Sequence, residues 1–239
     1  MASSIPLIRA SQAAPFADRI RASGWRAEPL LEEVGIRPDL VDEHPDALVP
    51  EYAIWDLVER CARVAGTGSF GWDAGLGTPV EQLGSFGRDV ASAATLRDAL
   101  RLFLVAVGRH SSDASFSVAR GRSGIWFRRH GIDAIDVGAW QVELYVVGLM
   151  VRVCRTALGA AWVPAELWLK QRGREPLPEP LRDARVSWGR PVTAIAIPDA
   201  ALDARLPAIG GDVPPLAAID LPLPDALRHA LESLSLIHI

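Results

Sequence analysis

The chain has 239 residues and a mass of 25.8 kDa, of which 49% are hydrophobic, 23% charged and 7% aromatic. That balance belongs to ordinary globular proteins and excludes disordered, collagen-like and disulfide-stapled chains. Its 25 basic residues include one lysine, Lys170, and face 29 acidic residues, for a net charge of -4 and a pI of about 5.8. No global positive field draws nucleic acid, and the arginines are scattered rather than clustered.

At this length one large domain, or a domain with a fragment, is favoured over two complete ones. Cys61 and Cys154 lie far apart in apolar, helix-like stretches, as buried thiols of a reduced cytoplasmic protein would. The start of the chain, MASSIPLIRASQAAPF, lacks the charged and apolar regions of a signal peptide. The most apolar run, Leu144 to Val151, stops at Arg152, well short of the roughly 20 residues of a membrane span.

In chain order, Pro50 opens a helix whose apolar residues Ile54, Leu57, Val58, Cys61 and Ala65 follow the 3.6 period, with Gly66 as terminator. Thr95 and Asp98 form a capping-box-like start to a second helix, whose stripe is Leu96, Ala99, Leu100, Phe103, Leu104 and Val107. From Ala114 to Arg129 the period changes to two. Phe116 and Val118 alternate with serines, Arg120 to Gly124 supplies turn residues, and Ile125 and Phe127 alternate with Trp126 and Arg128, which predicts a β-hairpin. Val137, Trp140, Leu144, Val147, Val151, Cys154 and Leu158 then recur at spacings of three and four, while Tyr145, Val146, Leu149, Met150 and Val153 make other faces apolar. A long, nearly engulfed central helix follows from that pattern. Strands are predicted at 165–169, 184–188 and 192–197. The fold class is α+β: helices packed on a small, mostly antiparallel sheet, with the long helix at its centre. Residues 207–224 turn to Pro, Gly, Ala and Asp like a linker, before a short amphipathic stretch at 225–234.

Chemical motifs are sparse. Gly66-Thr67-Gly68-Ser69-Phe70-Gly71 matches G-x-G-x-x-G, but it follows a helix rather than a strand, so it reads as a glycine-rich connector and not a cofactor loop. His44, His110, His130, His229 and His238 never take zinc spacing, so no metal is implied. His110 with Ser111, Ser112 and Asp113 reads as a loop rather than a triad. Asp133 and Asp136 suit the start of the long helix, where its dipole favours negative charge. Eight tryptophans exceed the needs of a core this size, and Trp72, Trp126 and Trp140 are candidates for a pocket wall.

A series of segments resembles one family in order and spacing. They are Leu30 to Ile36, Val49-Pro50, Gly68 to Gly71, Leu83 to Gly87, Ala94 to Leu100, Trp162 to Leu167, Val186 to Ile195 and Leu202 to Pro207. Together they resemble the N-terminal, arabinose-binding-like regulatory domain of AraC/XylS-type bacterial transcription regulators, in the branch with ornithine-utilisation-type regulators. The resemblance implies a domain that senses a small molecule and dimerises, with DNA bound only through a C-terminal helix-turn-helix module. That module is missing from this sequence, and residues 234–239 look like translated adapter sequence.

The reading is therefore an effector-binding and dimerisation domain over residues 1–210, then a linker and the start of a truncated module over 211–239. It is a cytoplasmic, non-enzymatic homodimer without cofactor. A pocket between the sheet and the long helix is expected to be lined by Trp126, Trp140 and Leu144, with Arg109 or His110 orienting a polar end. The alternatives are an enzyme of small-molecule metabolism, and a natural truncated inhibitor that dimerises with intact relatives.

Overall fold

The computed structural model describes residues 6–82, 85–107, 115–131, 136–173 and 176–207. Arg109, His110, Asp133 and the linker with its amphipathic stretch lie outside these residues. The chain opens with a short strand β1 (Leu7–Arg9) and a 3-10 turn leading into α1 (Ala14–Ala22), followed by α2 (Glu28–Glu33) and α3 (Pro38–Asp42). Prolines 15, 29 and 38 sit in the first turns of these three helices, where a missing N–H costs nothing. Strand β2 (Leu48–Pro50) pairs antiparallel with β1 and feeds straight into α4 (Glu51–Ala65). Gly66 ends α4 with φ of +66°, the left-handed cap that glycine adopts without strain.

The stretch read as a glycine-rich connector is in part a helix. Its last two residues open α5 (Phe70–Gly77), which lies against the long helix α8 (Ala139–Leu158). A Cβ at Gly71 would run into the carbonyl of Gln141, one at Gly75 into the carbonyl of Tyr145, and one at Gly148 would stand 2.7 Å from the Trp72 oxygen. The two backbones meet almost directly. Gln141 then bridges the contact, accepting a hydrogen bond from Gly71 N at 2.9 Å and donating to Gly68 O at 3.0 Å.

After α6 (Ser85–Ala91) and α7 (Leu96–Val107), the predicted hairpin forms as β3 (Ser115–Arg120) and β4 (Gly124–His130). The three later strands are β5 (Glu166–Trp168), β6 (Arg185–Ser187) and β7 (Thr193–Pro198). They complete a five-stranded sheet of order β3-β4-β7-β5-β6, antiparallel except between β5 and β6. One sheet face is the core wall: Phe127, Leu167, Ile195 and Ile197 are fully buried. Phe103 of α7 packs edge-on against Phe116 and Phe127, at ring-centre distances of 5.0 and 5.6 Å.

Helix α8 fills the middle, with twelve of its 20 residues buried. Its one buried carboxylate, Glu143, faces the sheet and accepts from Lys170 N at 2.7 Å, Gln171 N at 3.1 Å and Thr193 Oγ1 at 2.5 Å. A buried charge needs such a shell. Here the shell also locks α8 to the end of β5 and the start of β7.

Two outcomes follow. Gly75→Ala drives a methyl into backbone that cannot retreat and is expected to destabilise the domain by about 1–3 kcal/mol in urea unfolding. Gly77→Ala, where a Cβ meets nothing within 4 Å, should be neutral. Burial pushes the Cys61 thiol up to about 12 and raises Cys154 as well, so both stay protonated and unreactive in the native protein. Alkylation by iodoacetamide at about pH 8 should label neither cysteine until denaturant is added. The unfolded chain's thiols ionise first, so this contribution to stability is lost as pH rises from the ordinary thiol range towards the native value.

Candidate functional site

Helix α7 begins where the described chain ends. A helix leaves its first N–H groups without internal partners, and here the segment 202–206 accepts from two of them. Leu96 N donates to Ala204 O at 3.0 Å and Arg97 N to Leu202 O at 2.9 Å, while Leu206 N returns a bond to Ala94 O at 3.3 Å. Thr95 and Arg205 face each other in an isolated β-bridge. The Thr95 hydroxyl oxygen accepts from Asp98 N at 3.2 Å and its O–H donates to the Asp98 carboxylate at 2.7 Å. Thr95 is thus the N-cap, as expected, but Asp98 answers its hydroxyl rather than its backbone N–H, so half of the reciprocal capping box is formed. The exit segment completes the cap of α7.

Side chains extend the same contact. Arg97 Nη2 lies 2.9 Å from Asp203 Oδ1, with side chains 42% and 74% exposed, and Arg101 lies 3.3 Å from Asp98, with side chains 71% and 43% exposed. Pairs this exposed contribute only about 0–1 kcal/mol each.

Between α7 and the hairpin, on the core side of the sheet, an open cleft of about 210 Å³ is lined by Arg97, Leu100, Arg101, Leu104, Val118, Ile125 and Leu202. Four of these residues form one stripe of α7 at spacings i, i+3, i+4 and i+7. The walls are apolar apart from Arg97 and Arg101, whose guanidinium groups pair with Asp203 and Asp98. Clefts for drug-sized ligands run to about 300–1,000 Å³, so this one suits a compact metabolite. Leu202, which closes the cleft, is also an acceptor of the α7 cap.

The residues expected to line a pocket are not gathered there. Leu144 is fully buried within α8 and Trp72 is buried on α5, both as packing residues. Trp140 is partly buried and tilts against Trp188 at 6.0 Å. Trp126 is on the other side of the sheet from Leu144, because alternation along β4 turns its neighbour Phe127 into the core. It stacks on Trp168 at 4.1 Å above the small residues Ala194 and Ala196, and the Arg190 guanidinium lies 4.3 Å from the Trp168 ring centre. The expected grouping of Trp126, Trp140 and Leu144 around one pocket is thus not what the fold builds. Arg109 and His110 lie outside the described residues.

Sequence periodicity identified Leu100 and Leu104 as core residues of α7 but missed that they border an opening. The available signal was the pair Arg97 and Arg101 one turn apart beside that stripe. Among the described residues, no group of three His, Cys, Asp or Glu is placed to hold a metal ion, and no helix is long and apolar enough to cross a membrane.

Residues 24–206 match the family described as the arabinose-binding domain of AraC transcription regulators, N-terminal. Among solved structures the chain is similar to the transcriptional regulator CdpR from Pseudomonas aeruginosa, with a TM-score of 0.51 and 16% sequence identity over 75% of this chain and 56% of that one. It therefore spans little more than half the length of that regulator, and a likeness at this identity concerns the fold. No curated protein matches. The family match runs from α2 through the sheet to the exit segment that caps α7, and so takes in both cleft and clamp: the chain belongs to the family of N-terminal arabinose-binding domains of AraC transcription regulators.

Proposed function

We propose that this chain is the effector-sensing regulatory domain of an AraC-type transcription regulator. A small molecule binds the domain, and the difference in its affinity for two arrangements is passed to a DNA-binding module beyond the exit segment. In this reading residues 1–210 are the effector-binding and dimerisation domain, residues 211–239 lead towards the DNA-binding part, and the protein acts in the cytoplasm as a homodimer and not as an enzyme. The observation that carries the reading is the family match over residues 24–206. The geometry supports it, because the cleft and the exit segment share Arg97 and Leu202. Whatever fills the cleft acts directly on the chain leaving the domain.

Thermal-shift screening against a metabolite library tests this. A ligand of the native state at about 100 times its Kd stabilises by about 2.7 kcal/mol, which for a domain of this size raises Tm by roughly 5–10 °C. At least one metabolite should do so without being consumed. A library that shifts nothing, or a metabolite that is turned over, would overturn the reading.

A further inference from the structure

The cleft has apolar walls, and the two arginines that line it are paired in different ways with carboxylates that do not. Asp98, the partner of Arg101, is also held by Thr95 through both its backbone N–H and its carboxylate. Asp203 has no described side-chain partner other than Arg97, and its side chain is 74% exposed. Exchanging the partner of Arg97 therefore leaves Asp203 in water, where a carboxylate is well solvated. Arg97 and Arg101 line the cleft and their carboxylate partners do not, so a charge brought in by a ligand meets guanidinium rather than carboxylate, and a neutral molecule would leave both ion pairs in place. An anion with an apolar body satisfies the walls and Arg97 together.

We infer that the cleft is the effector site, that its ligand is a monocarboxylate with a compact apolar body, and that the carboxylate takes Arg97 from Asp203, loosening the exit segment's hold on α7. The apolar body lies against Leu100, Leu104, Val118, Ile125 and Leu202, and its burial supplies the affinity. The carboxylate gains charge-assisted hydrogen bonds from a planar guanidinium, whose geometry suits two parallel bonds. Loss of the Arg97 to Asp203 pair removes the charged part of the clamp. What remains is the backbone bonds at Leu96, Arg97 and Leu206 and the buried side chains of Leu202 and Leu206. The inference rests on the sensing role proposed above, and its tests separate the two.

The probe is 3-phenylpropionate, with 3-phenylpropan-1-ol as its neutral counterpart, titrated calorimetrically into the whole chain. The acid should bind at least about tenfold more tightly than the alcohol, the range of a hydrogen bond to a charged group. Arg97→Gln should remove that preference. Asp203→Asn, which frees Arg97, should tighten the acid by about two- to fivefold, as expected for release of an exposed pair. Leu104→Trp, checked for native circular dichroism, should abolish binding by filling the cleft, and Val118→Trp does the same from the hairpin side. With the acid bound, the amides of Leu96 and Arg97 should exchange faster with solvent deuterium, while the alcohol leaves them unchanged. Absence of acid binding, equal binding of acid and alcohol, or weaker acid binding in Asp203→Asn would overturn the inference. So would a library metabolite whose binding ignores both Arg97→Gln and Leu104→Trp, and in that case the sensing role would stand. If no metabolite binds at all, both fall.

Discussion

The architecture depends on the close crossing of α5 and α8. Two helices packed through ordinary side chains lie about 8–10 Å apart. Gly71, Gly75 and Gly148 remove the side chains that would hold these two at that separation, so backbone approaches backbone. The cost is helical propensity, since glycine is roughly 1 kcal/mol worse than alanine in a helix interior. The return is that α8 is covered on this side by α5 and on another by the sheet, and its all-round apolar character has somewhere to go. Gln141 completes the contact by satisfying polar backbone groups at the start of α5. A pattern that resembles a nucleotide loop in the sequence is a packing device in the fold.

The sheet carries its two tryptophans, Trp126 and Trp168, on the face away from the core, and for Trp126 this was legible in the sequence. Ile125 and Phe127 alternate with Trp126 and Arg128, so once Phe127 is assigned to the core, Trp126 must face the other way. Placing Trp126 beside Leu144 set residue type above register. The same alternation explains why β7 carries alanines at 194 and 196: they leave room on the outer face for the indoles of Trp126 and Trp168, which reach over it from the strands on either side. The helices at 51–65, 96–107 and 139–158 and all five strands of the main sheet were legible because each has strong periodicity and clear punctuation. The short pair β1 and β2 was not. Its strands have three residues each and are separated by three helices, so no local signal marks them.

The cap on α7 illustrates the other limit of local reading. Thr95 and Asp98 are three residues apart and announce a helix start in the sequence. Leu202 and Ala204, which accept from the N–H groups of Arg97 and Leu96 between those two, lie more than a hundred residues away. Only the resemblance to a family, through the segment Leu202 to Pro207, drew attention to that part of the chain. The cleft escaped for a related reason: periodicity separates a buried face from an exposed one, but says nothing about where two buried faces diverge. Phe103 closes against Phe116 and Phe127, whereas Leu100 and Leu104 stand across from Val118 and Ile125 with space between.

These two parts of the molecule are held by interactions of very different strength, and the difference assigns them different work. The α5/α8 crossing and the Glu143 shell are buried, and disrupting either opens a cavity or strands a charge, so the centre of the domain resists small perturbations. The exit segment is held by a few backbone bonds, by the buried side chains of Leu202 and Leu206 and by one exposed ion pair, and of these only the ion pair rearranges at little cost, because water can replace each of its partners. A sensor needs both properties: a rigid body that fixes the geometry of the cleft, and an easily shifted connection to whatever follows. The low worth of the Arg97 to Asp203 pair for stability is what suits it to switching, since a compact ligand has only modest differential binding energy with which to shift an equilibrium.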